Sequence, residues 1–308
     1  MLLLSHFQSA LHVTAPLLII LLAGILFKRI KLIDQHFVAI GNKLVFKVAL
    51  PCLLFLSVAS RPISESINLT LVVFGLLATV LSVIFVWWIA PLVVEKSKRG
   101  VFTQCAFRGN MGIIGLALCL NAFGDGIIAM AAVYLAIMTI FYNILSVLLL
   151  SNSRSMILIN LAKNPLIISI ILGTAWSYLN VPLPRIIDLS IGYLAQLTLP
   201  LALVCIGASL EWNSLKANHK ETLVATLLKL IILPGVIVVS AIQFGIKGEE
   251  LGVLFLMMAT PTAAAAYVMS HQMTAHGRLA AEVITLSTLF SPISVTLGLV
   301  TLKYANLI

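Results

Sequence analysis

Phe107-Arg108-Gly109-Asn110-Met111-Gly112, with Gly115 close behind, falls near the middle of an apolar stretch at about 99–122. Three glycines and an asparagine are poor helix formers. A second stretch, about 249–273, carries Thr260-Pro261-Thr262 near its own middle. Proline there removes a backbone hydrogen bond and clashes with the preceding turn. In hydrocarbon a helix breaks only where protein or water satisfies the freed backbone groups, so two such breaks point to a cavity. Glycine and proline also serve plain packing in membrane helices. The matching positions of the two breaks favour the cavity.

The surroundings of these breaks are membrane-like. Of 308 residues, 61% are hydrophobic and 9% charged, against about 45–50% and 25% in soluble domains. That excludes a soluble enzyme, a disulfide scaffold and a disordered chain. Cutting at charged and Pro/Gly-rich positions leaves ten apolar stretches: about 11–29, 37–59, 68–94, 99–122, 126–150, 163–181, 186–210, 219–244, 249–273 and 278–302. Each reaches the roughly 20 residues a transmembrane helix needs. Period-two alternation is missing, which argues against a β-barrel. The expected fold is an all-α polytopic membrane protein in a lipid bilayer, with no removable signal peptide.

A shift of 149 residues superposes Pro16 on Pro165, Gly24 on Gly173, and Leu50-Pro51 on Leu199-Pro200. Ala59-Ser60 then meets Ala208-Ser209, Ala131-Ala132 meets Ala280-Ala281, and Thr139 and Phe141 meet Thr288 and Phe290. Chance gives about 0.2 proline coincidences, and two occur. Halves at 1–153 and 154–308 hold five spans each, and an odd number inverts the second half in the membrane. Inverted repeats with matched broken helices mark secondary transporters, with the site at the breaks.

The chemistry available there suits an anion. The N-terminus of each second half-helix offers free N–H groups and about half a positive charge. Gly109, Met111 and Gly112 bring backbone, Asn110 an amide donor, and Thr260 and Thr262 hydroxyls around Pro261. Lys43 and Lys47, one turn apart, share a helix face. Lys43 is shallow enough to snorkel, and Lys47 lies a turn deeper. Arg108 either attracts an anion or pairs with carbonyls freed by the break. Lys229, mid-span with no acid nearby, needs a partner from another helix or a wet cavity. Glu282, four residues after Arg278, reads as a surface ion pair, and His271 as interfacial. Asp125 belongs to a Gly-Asp-Gly turn and Asp188 to the outer rim. The four cysteines read as small core residues, without metal spacing.

The stretch from Phe107 through Leu118 to Phe123-Gly124 resembles the fourth-span motif of the auxin efflux carrier family, bacterial members above all. Lys43 to Pro51 resembles its second span, Asn164-Pro165 to Gly173 its sixth, and Leu199 to Leu210 its seventh. Ala259-Thr-Pro-Thr-Ala and Leu286 to Pro292 resemble its last two. The family usually places proline seven residues after the span-four asparagine, where Ala117 stands here. The resemblance implies ten helices in two inverted five-helix repeats, with spans four and nine crossing at their breaks. Spans 1, 2, 6 and 7 form a scaffold, and the others move. Family substrates are small organic anions, auxin in plants and dicarboxylates or similar acids in bacteria. The crossing asparagine carries over to Asn110 and the crossing proline to Pro261. No cofactor is implied. A coupling ion, proton or sodium, and a homodimer are compatible with it; an ion-coupled sodium/proton or bile-acid-like symporter of related fold is the alternative, and an intramembrane enzyme comes after it.

Other classes fit less well. Phe123-Gly-Asp-Gly is not the Gly-x-Gly-Asp of membrane aspartyl proteases, and HExxH and GxSxG are missing. Rings of charge or repeated filter loops, expected of a channel, are not seen. The net charge of +9 belongs to topology signals and not to nucleic acid.

Inside loops would carry eleven basic residues: Lys28, Arg29, Lys31, Lys96, Lys98, Arg99, Arg154, Lys163, Lys216, Lys220 and Arg278. Outside segments would carry four: Arg61, Arg185, Lys247 and Lys303. Positive residues favour the inside, so both termini face the extracytoplasmic side of the cell membrane. Cysteines placed by Ser5→Cys and Asn306→Cys should both react with an impermeant reagent added to intact cells. Protection of both would reverse the topology.

Overall fold

The computed structural model describes residues 2–59, 68–150, 165–179, 181–210 and 219–308. Arg61, Arg154, Lys163 and Lys216 of the charge count lie outside them, as do Ser60, Asn164 and the boundary between 153 and 154. The regular elements among the described residues are all helices, with no β-strand beyond one isolated bridge.

Twelve helices follow in order: α1 Leu2–Arg29, α2 Gln35–Ala59, α3 Leu69–Leu92, α4 Arg99–Phe107, α5 Met111–Phe123, α6 Asp125–Leu150, α7 Pro165–Leu179, α8 Arg185–Ser209, α9 His219–Gln243, α10 Gly248–Met258, α11 Ala264–Met273 and α12 Gly277–Tyr304. Seven helices among the described residues are long and apolar enough to cross a membrane. In the three other apolar stretches the helix is shorter, as in α7, or divided, as in α4–α5 and α10–α11. Side chains such as Trp88 and Ile186 are 77% and 81% exposed, which apolar groups accept when the surrounding solvent is lipid.

Local chemistry sets the ends and irregularities. Asp34 and Asn68 cap α2 and α3, accepting from the Phe37 and Leu71 N–H groups at 2.7 and 2.9 Å. Inside α2 and α9, π-helical turns at Val45–Ala49 and Leu228–Ile232 precede Pro51 and Pro234. A proline has no N–H for the carbonyl four residues back and crowds it, and a widened turn accommodates both defects. Pro200 has a comparable effect in α8, where the helix is interrupted at Leu197. Ala117, lacking proline's ring, sits inside an unbroken α5.

Helix α1 packs on α8 and α12, and α7 packs on the second half of α2. The approaches are closest at glycines. A Cβ on Gly24 would lie 2.2 Å from the Val204 carbonyl oxygen, and one on Gly173 would lie 2.9 Å from that of Phe55. Helix α9 packs on α4 and α12, α10 on α5, and α11 on α6 and α12. The buried side chains of these helices close around the two breaks.

Glu282 departs from the expected surface ion pair. Arg278 is within 3.3 Å of it, but the Glu282 side chain is 1% exposed and accepts from the Thr222 hydroxyl at 3.1 Å. The first turns of α9 and α12 pack together there and cover the carboxylate, a tertiary effect that i,i+4 spacing does not contain.

Gly24→Ala should force α1 away from α8, because the contact is with backbone that has no rotamer to give. Overpacking of this kind costs about 1–3 kcal/mol, read as a lower melting temperature of the purified protein. Gly192→Ala in α8, with nothing within 4 Å, is the control and should melt like wild type.

Candidate functional site

The two breaks meet. The Asn110 N–H donates to the Pro261 carbonyl at 2.8 Å, and the Ala263 N–H donates to the Arg108 carbonyl at 3.0 Å. Gly109 and Thr262 therefore face each other as one antiparallel bridge. Four helix ends converge on it: the C-termini of α4 and α10 and the N-termini of α5 and α11. Backbone groups left without partners in such a place would each cost several kcal/mol.

Several of the freed acceptors are satisfied from within. Besides the two bridge carbonyls, Cys105 receives the Thr262 hydroxyl at 2.8 Å, and Met258 receives the Lys229 ammonium at 2.6 Å. The Thr260 hydroxyl turns back onto Met257 at 2.8 Å. The Thr262 N–H donates to the Ser287 hydroxyl of α12 at 3.1 Å.

The donors are treated differently. At the start of α5, the Ile114 and Gly115 N–H groups share the Asn110 carbonyl, each at 3.1 Å. Those of Met111, Gly112 and Ile113 make no backbone hydrogen bond outside the helix, and first-turn positions have no acceptor within it. Ala264 and Ala265 at the start of α11 are in the same state and are exposed. The Asn110 side-chain amide is half-buried and makes no hydrogen bond among the described residues. The site thus offers donors and positive dipole ends and, among the described residues, no free carboxylate.

Of the residues expected here, Gly109, Asn110, Met111, Gly112, Thr260, Pro261 and Thr262 come together. Glycine at 109 is required by close approach, since a Cβ would lie 2.3 Å from the Thr260 hydroxyl oxygen. Arg108 contributes its backbone to the crossing, but its guanidinium is committed elsewhere. It donates to the Ser146 hydroxyl at 2.7 Å, the Tyr142 carbonyl at 3.2 Å and the Asn143 side-chain oxygen at 2.6 Å, all on α6. The carbonyl it finds belongs to a neighbouring helix and not to the break.

Lys43 and Lys47 are exposed on α2, and neither makes a hydrogen bond or ion pair among the described residues. Leu50, one turn beyond Lys47, adjoins the crossing: its Cδ2 would touch a Cβ on Gly112 at 3.6 Å. His271 is exposed and stacks on Tyr267. Ser287 was not anticipated, because nothing in its local sequence separates it from ordinary helix, whereas the α11 N-terminus is the second half-helix end expected after Pro261. Lys229 was visible as a deep unpaired cation, and only the fold supplied its partner.

The sequence model of the membrane transport protein family matches residues 9–155 and 149–299. An uncharacterised transporter of Methanocaldococcus jannaschii is 26% identical over 305 residues, covering 93% of this chain and 97% of its own. The "Putative malonate transporter" of Rhizobium meliloti is 28% identical over 300 residues, covering 86% and 88%. The transporter YfdV of Escherichia coli K12 is 24% identical over 293 residues, covering 89% and 91%. A match over almost the whole chain and the helical architecture agree: this protein belongs to the membrane transport protein family, that of the auxin efflux carriers, and is a multi-pass membrane transporter and not an enzyme.

Proposed function

We propose that the protein is a secondary carrier of small organic anions, mono- or dicarboxylates, working by alternating access, with the carboxylate held at the crossing. The observation that carries this reading is the imbalance there. One carbonyl at the end of α4, that of Cys105, and one at the end of α10, that of Met258, receive side-chain donors from Thr262 and Lys229, while the Asn110 amide and the first N–H groups of α5 and α11 find no acceptor. Open donors at two helix N-termini recruit an anion without burying a second full charge. The Asn110 amide and the N–H groups of Met111 and Gly112 bind directly in this scheme. Gly109, Thr260, Pro261 and Thr262 shape the crossing. Lys43 and Lys47 draw anions toward α2, and Arg108 anchors the break to α6. The relative named for malonate supports the carboxylate class.

In the same proposal, ten spans form two inverted repeats. Its support is a pair of equivalent contacts. Gly24 lies against the Val204 carbonyl and Gly173 against that of Phe55, and the two glycines are 149 residues apart, as are the two carbonyl residues. Helices α1, α2, α7 and α8 would be the scaffold. The units α3–α6 and α9–α12, each containing one divided span, would carry the bound anion between the two faces.

Uptake of labelled malonate and related acids into proteoliposomes tests the assignment. Asn110→Ala removes one charge-assisted hydrogen bond, worth roughly 1.5–3 kcal/mol. Anion affinity should therefore fall about ten- to a hundredfold, with expression unchanged. Selective transport of cations, or undiminished anion affinity in Asn110→Ala, would overturn it.

A further inference from the structure

Lys229 is 2% exposed, deep in α9 on the π-helical turn before Pro234. No carboxylate lies within ion-pairing distance of it among the described residues. Its ammonium donates to the carbonyl of Met258, the last residue of α10, at 2.6 Å. It also reaches the bridge itself, since a Cβ on Gly109 would stand 3.2 Å from Nζ. A half-helix C-terminus at a break carries about half a negative charge on exposed carbonyls, and in transporters such ends coordinate the coupling cation. An ionisable residue this deep calls for a functional explanation, and a neutral side chain would have capped one carbonyl at far lower desolvation cost.

We propose that Lys229 is a resident cation: its ammonium fills the place at the α10 terminus that a free coupling cation would take, and so makes anion binding independent of sodium. The inference deepens the carrier reading and rests on it for the substrate class. Two consequences follow from the geometry. The α10 dipole neutralises only part of the charge, and the remainder favours an anion on the open side of the crossing. The tether also fixes Met258 next to Thr260 and Gly109, so Lys229 acts as a positioning residue without touching the substrate.

The experiment uses purified full-length protein in three forms: wild type, Lys229→Ala and Lys229→Gln. Malonate affinity and melting temperature are measured in sodium, methylammonium and choline chlorides at equal ionic strength. Wild type should bind and melt alike in all three salts. In choline, both variants should bind malonate at least tenfold more weakly. Sodium or methylammonium should restore most of that affinity in Lys229→Ala, where a space is opened, and raise its melting temperature. Lys229→Gln keeps a donor for the Met258 carbonyl and loses only the charge. If the role were purely structural, it would bind like wild type, and that result overturns the proposal. A wild type that needs sodium, or a Lys229→Ala protein that no cation affects, overturns it equally. If Lys229→Ala does not purify as a folded protein, Lys229→Gln and the wild-type salt comparison decide the matter. Wild type that binds neither malonate nor the related acids of the uptake assay in any salt defeats the carrier reading instead, and the melting temperatures still decide whether Lys229 replaces a free cation.

Discussion

Two backbone hydrogen bonds, Asn110 to Pro261 and Ala263 to Arg108, are the contact on which this structure turns. In water a broken helix hydrates its loose ends. In hydrocarbon it has no such recourse, and each unpaired backbone group costs several kcal/mol. The two breaks meet this constraint together, each supplying what the other lacks. Neither divided span would be stable as drawn without its counterpart, so the pair is one structural unit although some 150 residues separate its members.

How the remaining groups are satisfied gives the site its chemical sign. The Cys105, Arg108, Met258 and Pro261 carbonyls are covered by Thr262, Lys229 and the bridge itself, whereas first-turn N–H groups and the Asn110 amide are left open. Residue choice explains the asymmetry. Hydroxyl and ammonium groups stand beside the C-terminal ends, whereas at the N-terminal ends the Asn110 side chain makes no cap hydrogen bond and the first-turn residues are alanine, glycine, methionine and isoleucine, which have no strong acceptor. The helix dipoles add to the same effect, because the two N-termini that face the crossing carry the uncompensated positive ends.

Proline and glycine act at a distance from the crossing in a related way. Pro51, Pro200 and Pro234 each follow a disturbed turn, and in α9 that turn carries the lysine that reaches the crossing. Gly24 and Gly173 let helices approach to backbone contact, where side-chain packing replaces a hydrophobic driving force that lipid cannot supply. Glu282 shows the opposite case, a charged group covered by packing at the N-terminal ends of α9 and α12 and held by Thr222 and Arg278.

Much of the fold was legible in the residues alone. Apolar length and breaker residues locate the helices, since lipid demands about 20 apolar residues and continuous backbone pairing. The disruptive power of Gly109, Gly112 and Pro261 is intrinsic to their backbones, so the breaks need no tertiary information. Gly24 and Gly173 could be paired by a constant shift. What no local pattern contains is where a long side chain ends. Arg108, beside the break in sequence, extends to α6, while Lys229, far from it in sequence, lies against it. Glu282, paired with Arg278 by spacing, is buried by Thr222 from another helix. Flexible charged side chains reach several ångströms from their own backbone, and in a low-dielectric interior they go where the unpaired dipoles are. The positions of those dipoles are set by which helix ends meet, and that only the tertiary structure decided.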